Sequence, residues 1–178
     1  YEGRTGNPYS YVYSTDLNGD GQSNNDRVAV PSGAADARFN FSGLSATQLD
    51  TYLANFRKTD LNEYAGGVAP KNAFREPFVN RLDLKLSQQI PVHRSLRSEL
   101  FLDFINFGTF LSEDLFNYRE QANLLSNDVF RRRTIGGASY GSDGRIVVSP
   151  SNVTAPSSLV IDNTQSRWRI QVGARITF

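Results

Sequence analysis

Cysteine and methionine are both missing from the 178 residues, and histidine occurs once, at His93. Without cysteine there is no disulfide framework, no thiol nucleophile and no thiolate-held zinc. The lone histidine has no convergent nucleophile in the pattern around it, and it reads as a solvated turn residue rather than part of a Ser-His-Asp arrangement. We expect no enzyme. Long apolar runs are also lacking, and nothing approaches the roughly 20 apolar residues of a transmembrane helix. Charge of one sign is not in excess: the formal net charge is +1, so there is no electrostatic case for nucleic acid as a partner. Neither Gly19/Gly21 nor Gly136-Gly137 sits between a strand and a helix, as a phosphate loop requires. The missing methionine and the strand-like sequence already present at Tyr1 lead us to expect a piece of a longer polypeptide, with any signal peptide upstream.

What is there is organised around the last twelve residues, Arg167–Phe178. Trp168, Ile170, Val172, Ala174, Ile176 and Phe178 form one alternating set; Arg167, Arg169, Gln171, Gly173, Arg175 and Thr177 form the other. Strand side chains alternate with a period of two, so this segment needs an apolar medium on one side and a wet one on the other. At about 3.3 Å per residue it reaches about 40 Å. Tilted, that matches an outer-membrane barrel's apolar band of about 25 Å plus its interfaces, with Trp168 and Phe178 at the rims. A soluble β-sandwich strand alternates in the same way.

Three more strands are expected. Residues 1–15 carry Tyr9, Tyr11 and Tyr13 on one side, which suits an aromatic girdle or a packed sandwich edge. In residues 79–90, Leu82, Leu84, Leu86 and Ile90 share one face, interrupted by Gln88, and oppose Arg81, Asp83, Lys85 and Ser87; in residues 96–108, Leu100, Leu102 and Phe104 oppose Arg97, Glu99 and Asp103. A turn at 91–95 joins the two. Pairing positions whose numbers sum to about 184 would set Lys85 against Glu99, Arg81 against Asp103 and Leu84 against Leu100, matching charge and apolar character together.

The connections 16–78 and 109–166 are long. The first begins with Asp16, Asn18, Asp20, Gln22, Asn24 and Asp26, spaced like the start of an EF-hand calcium loop with Gly21 at its sixth position. Arg27 stands where the bidentate Glu belongs and no flanking helices are evident, so a metal-free Asn/Asp/Gly turn is the alternative. Calcium is therefore a candidate cofactor only. Ser45 and Gln48 form a capping box, and Leu49, Tyr52, Leu53 and Phe56 follow at helical spacing, predicting a helix over 46–57 that lies in a connection and not in a core. Asp60–Tyr64 adds a turn before Gly66-Gly67. Asp128–Ala138 and Gly144–Ser149 read as arms of a hairpin around Tyr140–Gly144; charge on both faces at Arg131-Arg132-Arg133 would stand it in water, where those arginines are candidates for lipopolysaccharide phosphates. Asn152-Val-Thr154 fits a glycosylation acceptor, a triplet common by chance.

Long connections alternate strictly with one short turn. Outer-membrane barrels show that asymmetry, with long loops outside and tight turns in the periplasm, whereas a soluble sandwich has no reason for it. The expected fold is all-β: the last four antiparallel strands of a large transmembrane β-barrel, with long extracellular loops holding a short helix and a β-hairpin, and with the C-terminus on the periplasmic side. The lumen would be lined by Arg81, Asp83, Lys85, Glu99, Asp103, Arg169 and Arg175. Lipid would meet Leu82, Leu84, Leu86, Leu100, Leu102, Phe104, Trp168, Ile170, Val172, Ile176 and Phe178.

Seven segments in order carry a resemblance: Gly6–Tyr11, Thr15–Gly21, Val30-Pro31, Ala69–Arg75, Val79–Leu84, Glu99–Asn106 and Ser166–Phe178. Together they resemble the C-terminal end of Oar-like TonB-dependent outer-membrane receptors; Leu111–Ser166 shows little of the pattern. The resemblance implies a barrel of about 22 strands, a plug and an N-terminal domain outside this chain, and a substrate moved through the lumen by TonB acting on the absent part. Outer-membrane lipid and lipopolysaccharide would be its surroundings. The alternative is an outer-membrane-anchored surface or scaffold protein whose long loops bind a protein or polysaccharide, because a fold does not fix a function.

Overall fold

The computed structural model describes residues 1–93, 96–121, 131–148 and 159–177. Its strands, in chain order, are β1 (Glu2–Arg4), β2 (Pro8–Val12), β3 (Phe39–Asn40), β4 (Phe74–Arg75), β5 (Val79–Arg81), β6 (Leu84–His93), β7 (Leu96–Ile105), β8 (Arg119–Gln121), β9 (Arg132–Thr134), β10 (Ala138–Tyr140), β11 (Ile146–Val148), β12 (Leu159–Ile161) and β13 (Arg169–Thr177). The helices are α1 (Ala46–Arg57), α2 (Phe107–Leu111), α3 (Glu113–Phe116) and α4 (Asn163–Ser166), with a 3-10 turn at Asp60–Tyr64. The chain is mostly strand with few helices. No helix among the described residues is long and apolar enough to cross a membrane.

Two compact units result. One comprises Tyr1–Gly6, Pro77–Glu120 and Leu159–Phe178; the other comprises Asn7–Glu76 and Gln121–Ser158.

In the first unit β13, β7 and β6 form an antiparallel sheet in that order, and β1 pairs with β5 just ahead of β6. Leu84 pairs with Phe104 and Phe104 with Ile170; the next rows are Leu86–Leu102–Val172 and Gln88–Leu100–Ala174. Between them lie Lys85–Asp103–Gln171, Ser87–Phe101–Gly173 and Gln89–Glu99–Arg175. The register therefore differs from the expected one. Lys85 faces Asp103 instead of Glu99, Leu84 faces Phe104 instead of Leu100, and Arg81 pairs in the β1 ladder with Glu2. Observed partners sum to 188, a slip of four; because four is even, every side chain keeps its expected face. Strand pairing runs on through Pro91 and ends at His93↔Leu96, with an irregularity between Pro91 and His93, so His93 ends a strand instead of lying in a five-residue turn. Proline is tolerated there because β6 lies at the edge of its three-stranded sheet. At its far end β7 stops at Ile105, short of the expected 108, because Asn106 takes a left-handed conformation (φ 54°) and α2 begins at Phe107.

The second unit corrects a larger expectation. Both long connections contribute to it, and it has its own core. The strand expected over 1–15 is broken: β1 belongs to the first unit, whereas β2 is central in a sheet of order β4-β2-β9, antiparallel to β4 and parallel to β9. Tyr9, Tyr11 and Tyr13 are 0%, 2% and 2% exposed, so the tyrosine ladder packs inward and forms no girdle. Phe74 sits edge-on to Tyr11 with ring centroids 4.7 Å apart. Each such ring, fully buried, contributes roughly 2–3 kcal/mol before entropy is counted. The capping box at α1 is present: Gln48 N–H donates to Ser45 Oγ and Ser45 N–H to Gln48 Oε1. Tyr52, Leu53 and Phe56 of α1 then enter the same core as Val28 and Val30, contrary to the expectation of a helix outside any core. The expected hairpin is β10–β11, with Tyr140 paired to Ile146, and β11 adds β3 in parallel. Asp128–Phe130 and Ser149 of its expected arms lie outside the described residues, as do Asn152–Thr154.

Candidate functional site

The polar face of the β6–β7–β13 sheet gathers most of the residues expected to line a lumen. Lys85 Nζ lies 3.5 Å from Asp103 Oδ1, and Arg175 Nη1 lies 4.0 Å from Glu99 Oε2, so the two charge pairs bridge both strand interfaces. Pairs this exposed are worth about 0–1 kcal/mol each; their use is to favour one register. Phe101 is the exception in the polar set, and no motif singled it out. Its ring lies over Gly173, where a Cβ would collide with it, and Lys85 Nζ sits 5.3 Å from the ring centroid. The signal was present as one large residue and one small one in otherwise polar rows.

Arg81 and Asp83 stand in the β5–β6 junction, with Arg81 Nε 3.1 Å from Asp83 Oδ2. Asp83 Oδ1 also accepts the Asn106 N–H at 2.7 Å. The Asn106 carboxamide in turn donates to the carbonyls of Gln165 and Arg167, both at 2.8 Å, fixing the end of β7 to the start of β13. Only a residue that accepts left-handed backbone and carries two donors fills this place, which explains the asparagine closing Glu99–Asn106. Arg81 and Arg169 come together with Glu2, Arg4 and Asn106 around a cleft of about 240 Å³.

The opposite face is mainly apolar, broken at Gln88 and Ser98. Leu84, Leu86, Leu100, Ile170, Val172 and Ile176 are exposed on it, Val172 to 74%. Leu102 and Phe104 are half-buried within it, and Leu82, in the β5–β6 junction, offers its carbonyl to Gly108 N–H at 3.1 Å. Toward one end Phe104, Phe107, Phe110 and Trp168 form a ring cluster, with Phe104–Trp168 and Phe110–Trp168 centroids 6.1 and 5.8 Å apart. Phe178 lies outside the described residues.

In the second unit the Asp16–Asp26 loop closes on backbone donors. Asp16 accepts N–H groups of Gly19, Asp20 and Gly21 at 2.7–3.2 Å. Asp26, buried, accepts those of Leu17 and Asn18 at 2.6 and 3.2 Å. Asp20 accepts from Gln22 N–H, which holds its carboxyl below the usual range, and from Asn18 and Asn25. Gln22 is exposed and Asn24 takes a left-handed conformation (φ 62°). Among the described residues no three His, Cys, Asp or Glu side chains converge to hold a metal ion.

Two further ionic features escaped the sequence reading. Arg38 clasps Asp36 through Nε and Nη2 at 3.0 and 2.7 Å, and reaches the carbonyls of Gly67 and Val30 at 3.0 and 2.7 Å. The guanidinium, aided by Ser32, holds the Asp36 carboxyl well below the usual carboxylate range. The arginine run does not stand in water. Arg133, 3% exposed, lies over the Tyr11 ring at 5.3 Å and donates to its hydroxyl at 2.9 Å; Arg131 is bound at 2.8 Å by Glu76, whose side chain is 2% exposed. Strand pairing to β2 draws these residues inward.

Compared with protein-family models, curated proteins and solved structures, the chain matches none.

Proposed function

We propose that this chain is the closing part of the barrel of an Oar-like TonB-dependent outer-membrane receptor, passing a substrate through a plugged lumen with energy delivered through TonB. The observation that carries the reading is the two-faced β6–β7–β13 sheet. Its rows Leu84–Phe104–Ile170 and Leu86–Leu102–Val172 are in register across three strands, with Leu84, Leu86, Ile170 and Val172 exposed, while its other face is joined by Lys85–Asp103 and Glu99–Arg175. A soluble protein rarely exposes a contiguous apolar surface of this kind. A barrel wall needs it, because lipid takes the apolar face and water the polar one. The cluster of Phe104, Phe107, Phe110 and Trp168 suits an aromatic girdle at the membrane interface. In this reading Arg81, Asp83, Lys85, Glu99, Asp103, Arg169 and Arg175 line the lumen and contact the plug, and the protein performs gating without covalent chemistry.

The test is the mass and gel mobility of the native polypeptide from an outer-membrane fraction, with and without boiling. A band several-fold larger than this chain that shifts on heating is expected, together with uptake that stops when TonB is removed. An unshifted band at 19.8 kDa would overturn the reading.

A second reading is favoured by one observation, the separate core of the second unit. Connections that fold are suited to bind a protein or polysaccharide outside the cell, with the barrel as anchor. Assembly or adhesion that survives loss of TonB but not removal of residues 16–76 would support it.

A further inference from the structure

At the end of the β7–β13 ladder, elements distant in sequence close round a small space. Asn80 Nδ2 donates to the Leu115 carbonyl at 3.2 Å and joins β5 to α3. Tyr118 N–H donates to Ser166 Oγ, and the Tyr118 carbonyl accepts from Asp162 N–H, both at 2.9 Å, so the segment after α3 is held against α4. Asn106 ties α4 to the end of β7 through the Gln165 carbonyl. The space left between them is the cleft of about 240 Å³ that Arg81 and Arg169 flank, and all of it belongs to the first unit.

Its wall is divided. Val79, Ile105 and Phe116, each half-buried, supply apolar surface. Most polar groups on the rest of the wall are already engaged: Arg4 holds Glu2 at 3.3 Å, Arg81 holds Asp83 at 3.1 Å, and Asn80 and Asn106 are fixed by the bonds above. Two are not. The Arg169 side chain, exposed, makes no hydrogen bond or ion pair among the described residues. Tyr118 is 8% exposed, and its hydroxyl likewise has no partner among the described residues, although a tyrosine so deeply buried ordinarily finds one. Glu2, the one carboxylate among the described lining residues, is taken by Arg4.

We propose that this cleft binds a small organic monocarboxylate, with Arg169 and the Tyr118 hydroxyl on the carboxylate and Val79, Ile105 and Phe116 against an apolar or aromatic body. One guanidinium without a partner balances one negative charge, and its paired N–H groups match the two oxygens of a carboxylate; the phenol adds a third donor. A phosphate dianion would keep a charge unbalanced, and a neutral sugar would leave the guanidinium unmatched while setting hydroxyls against apolar side chains. The inference deepens the receptor reading and rests on it in one respect, that the polar face of the sheet is the lumen wall. The cleft is then a capture subsite on the path of the solute, and the solute is an organic acid.

The test is calorimetric titration of the native polypeptide, taken in detergent from the outer-membrane fraction, with hydrocinnamate; hydrocinnamide is the neutral control and acetate the carboxylate without a body. Saturable binding of hydrocinnamate is expected, weakening with added salt, with hydrocinnamide and acetate each bound about ten-fold more weakly or less. Arg169→Gln should weaken hydrocinnamate about ten-fold, and Arg169→Lys should retain part of the binding. Tyr118→Phe, which keeps the ring and removes the hydroxyl, should weaken it about five-fold. Arg97→Gln, an exposed position on the same face at the other end of β7, should leave it unchanged. Arg169 is exposed, so its replacement leaves the fold intact, as an unaltered heat shift of the band will check. No binding of hydrocinnamate, equal binding of hydrocinnamide, binding that survives Arg169→Gln unchanged, or an equal loss in Arg97→Gln would overturn the proposal. A heat-shifting band without hydrocinnamate binding would remove this inference and leave the receptor reading standing. Binding that follows Arg169 in an unshifted band at this chain's own mass would keep the cleft and remove the receptor.

Discussion

A carboxylate taken out of water must be surrounded by donors, and Asp36, with its side chain 6% exposed, receives all of its hydrogen bonds from Ser32 and Arg38. Because Arg38 also reaches the carbonyls of Val30 and Gly67, the pair ties its own turn to the two stretches that meet in the antiparallel Ala29–Val68 bridge. The folded carboxyl is depressed below its unfolded value of about 4. Its contribution is therefore fully present above that pH and is lost as pH falls through the folded value. Asp36→Asn should cost about 2 kcal/mol at pH 7, read as faster hydrogen exchange in residues 28–38, and the difference from wild type should shrink as pH drops below 4. A gap that stays constant to pH 2 would mean that the charge is not what holds the clasp. Little of this was visible in the sequence, since Asp36 and Arg38 are an ordinary i, i+2 pair until Gly67 is known to be nearby. Asn106 is an intermediate case. Its place at the end of an alternating run was plain, but the two carbonyls it binds lie 59 and 61 residues away.

Alternation identified β6, β7 and β13 and assigned their faces, because an apolar stripe with a period of two has no other use. It could not assign their register. Lys85 finds an opposite charge at either Glu99 or Asp103, and two strands taken alone leave that choice open. The third strand resolves it: Arg175 takes Glu99, and Gly173 makes room for Phe101. The absence of cysteine makes a clean check available. Oxidation should cross-link Lys85→Cys with Asp103→Cys and leave Lys85→Cys with Glu99→Cys unlinked, since registered Cα atoms fall within disulfide reach and those four residues away do not. The reverse outcome would restore the register summing to 184. Packing offers a second check. Gly173→Val should destabilise the sheet by about 1–3 kcal/mol, seen as a lower unfolding midpoint. The loss should largely vanish in the Phe101→Ala background, where the ring is gone. Equal losses in both backgrounds would show that strand propensity, not the Phe101 ring, governs position 173.

At the scale of the molecule, the alternation of long and short connections was legible, but the folding of the long ones was not. Pairing of β2 with β9 and of β3 with β11 is parallel and joins distant chain; the Arg133–Tyr11 bond spans 122 residues, a separation at which no local pattern operates. The tyrosine ladder read as a girdle, with a packed edge as the alternative, and burial decides for packing. The apolar sheet face is the reverse case, a surface that the chain itself leaves uncovered. Val172 lies near the middle of β13 and is 74% exposed. If water met that face, Val172→Lys would be nearly silent, because an exposed substitution changes stability by about 0.5 kcal/mol or less. If lipid meets it, the same change places a charge near mid-depth at a cost of about 2–4 kcal/mol. Its neighbour Gln171 lies on the polar face, registered with Asp103, so Gln171→Lys adds a charge of the same sign at almost the same height without meeting lipid. We therefore expect Val172→Lys, but not Gln171→Lys, to lower the amount of heat-shifting protein in the outer-membrane fraction. Equal tolerance of both would place the exposed face in water and remove the barrel, whereas equal intolerance would mean that position along the strand, not the face, sets the cost.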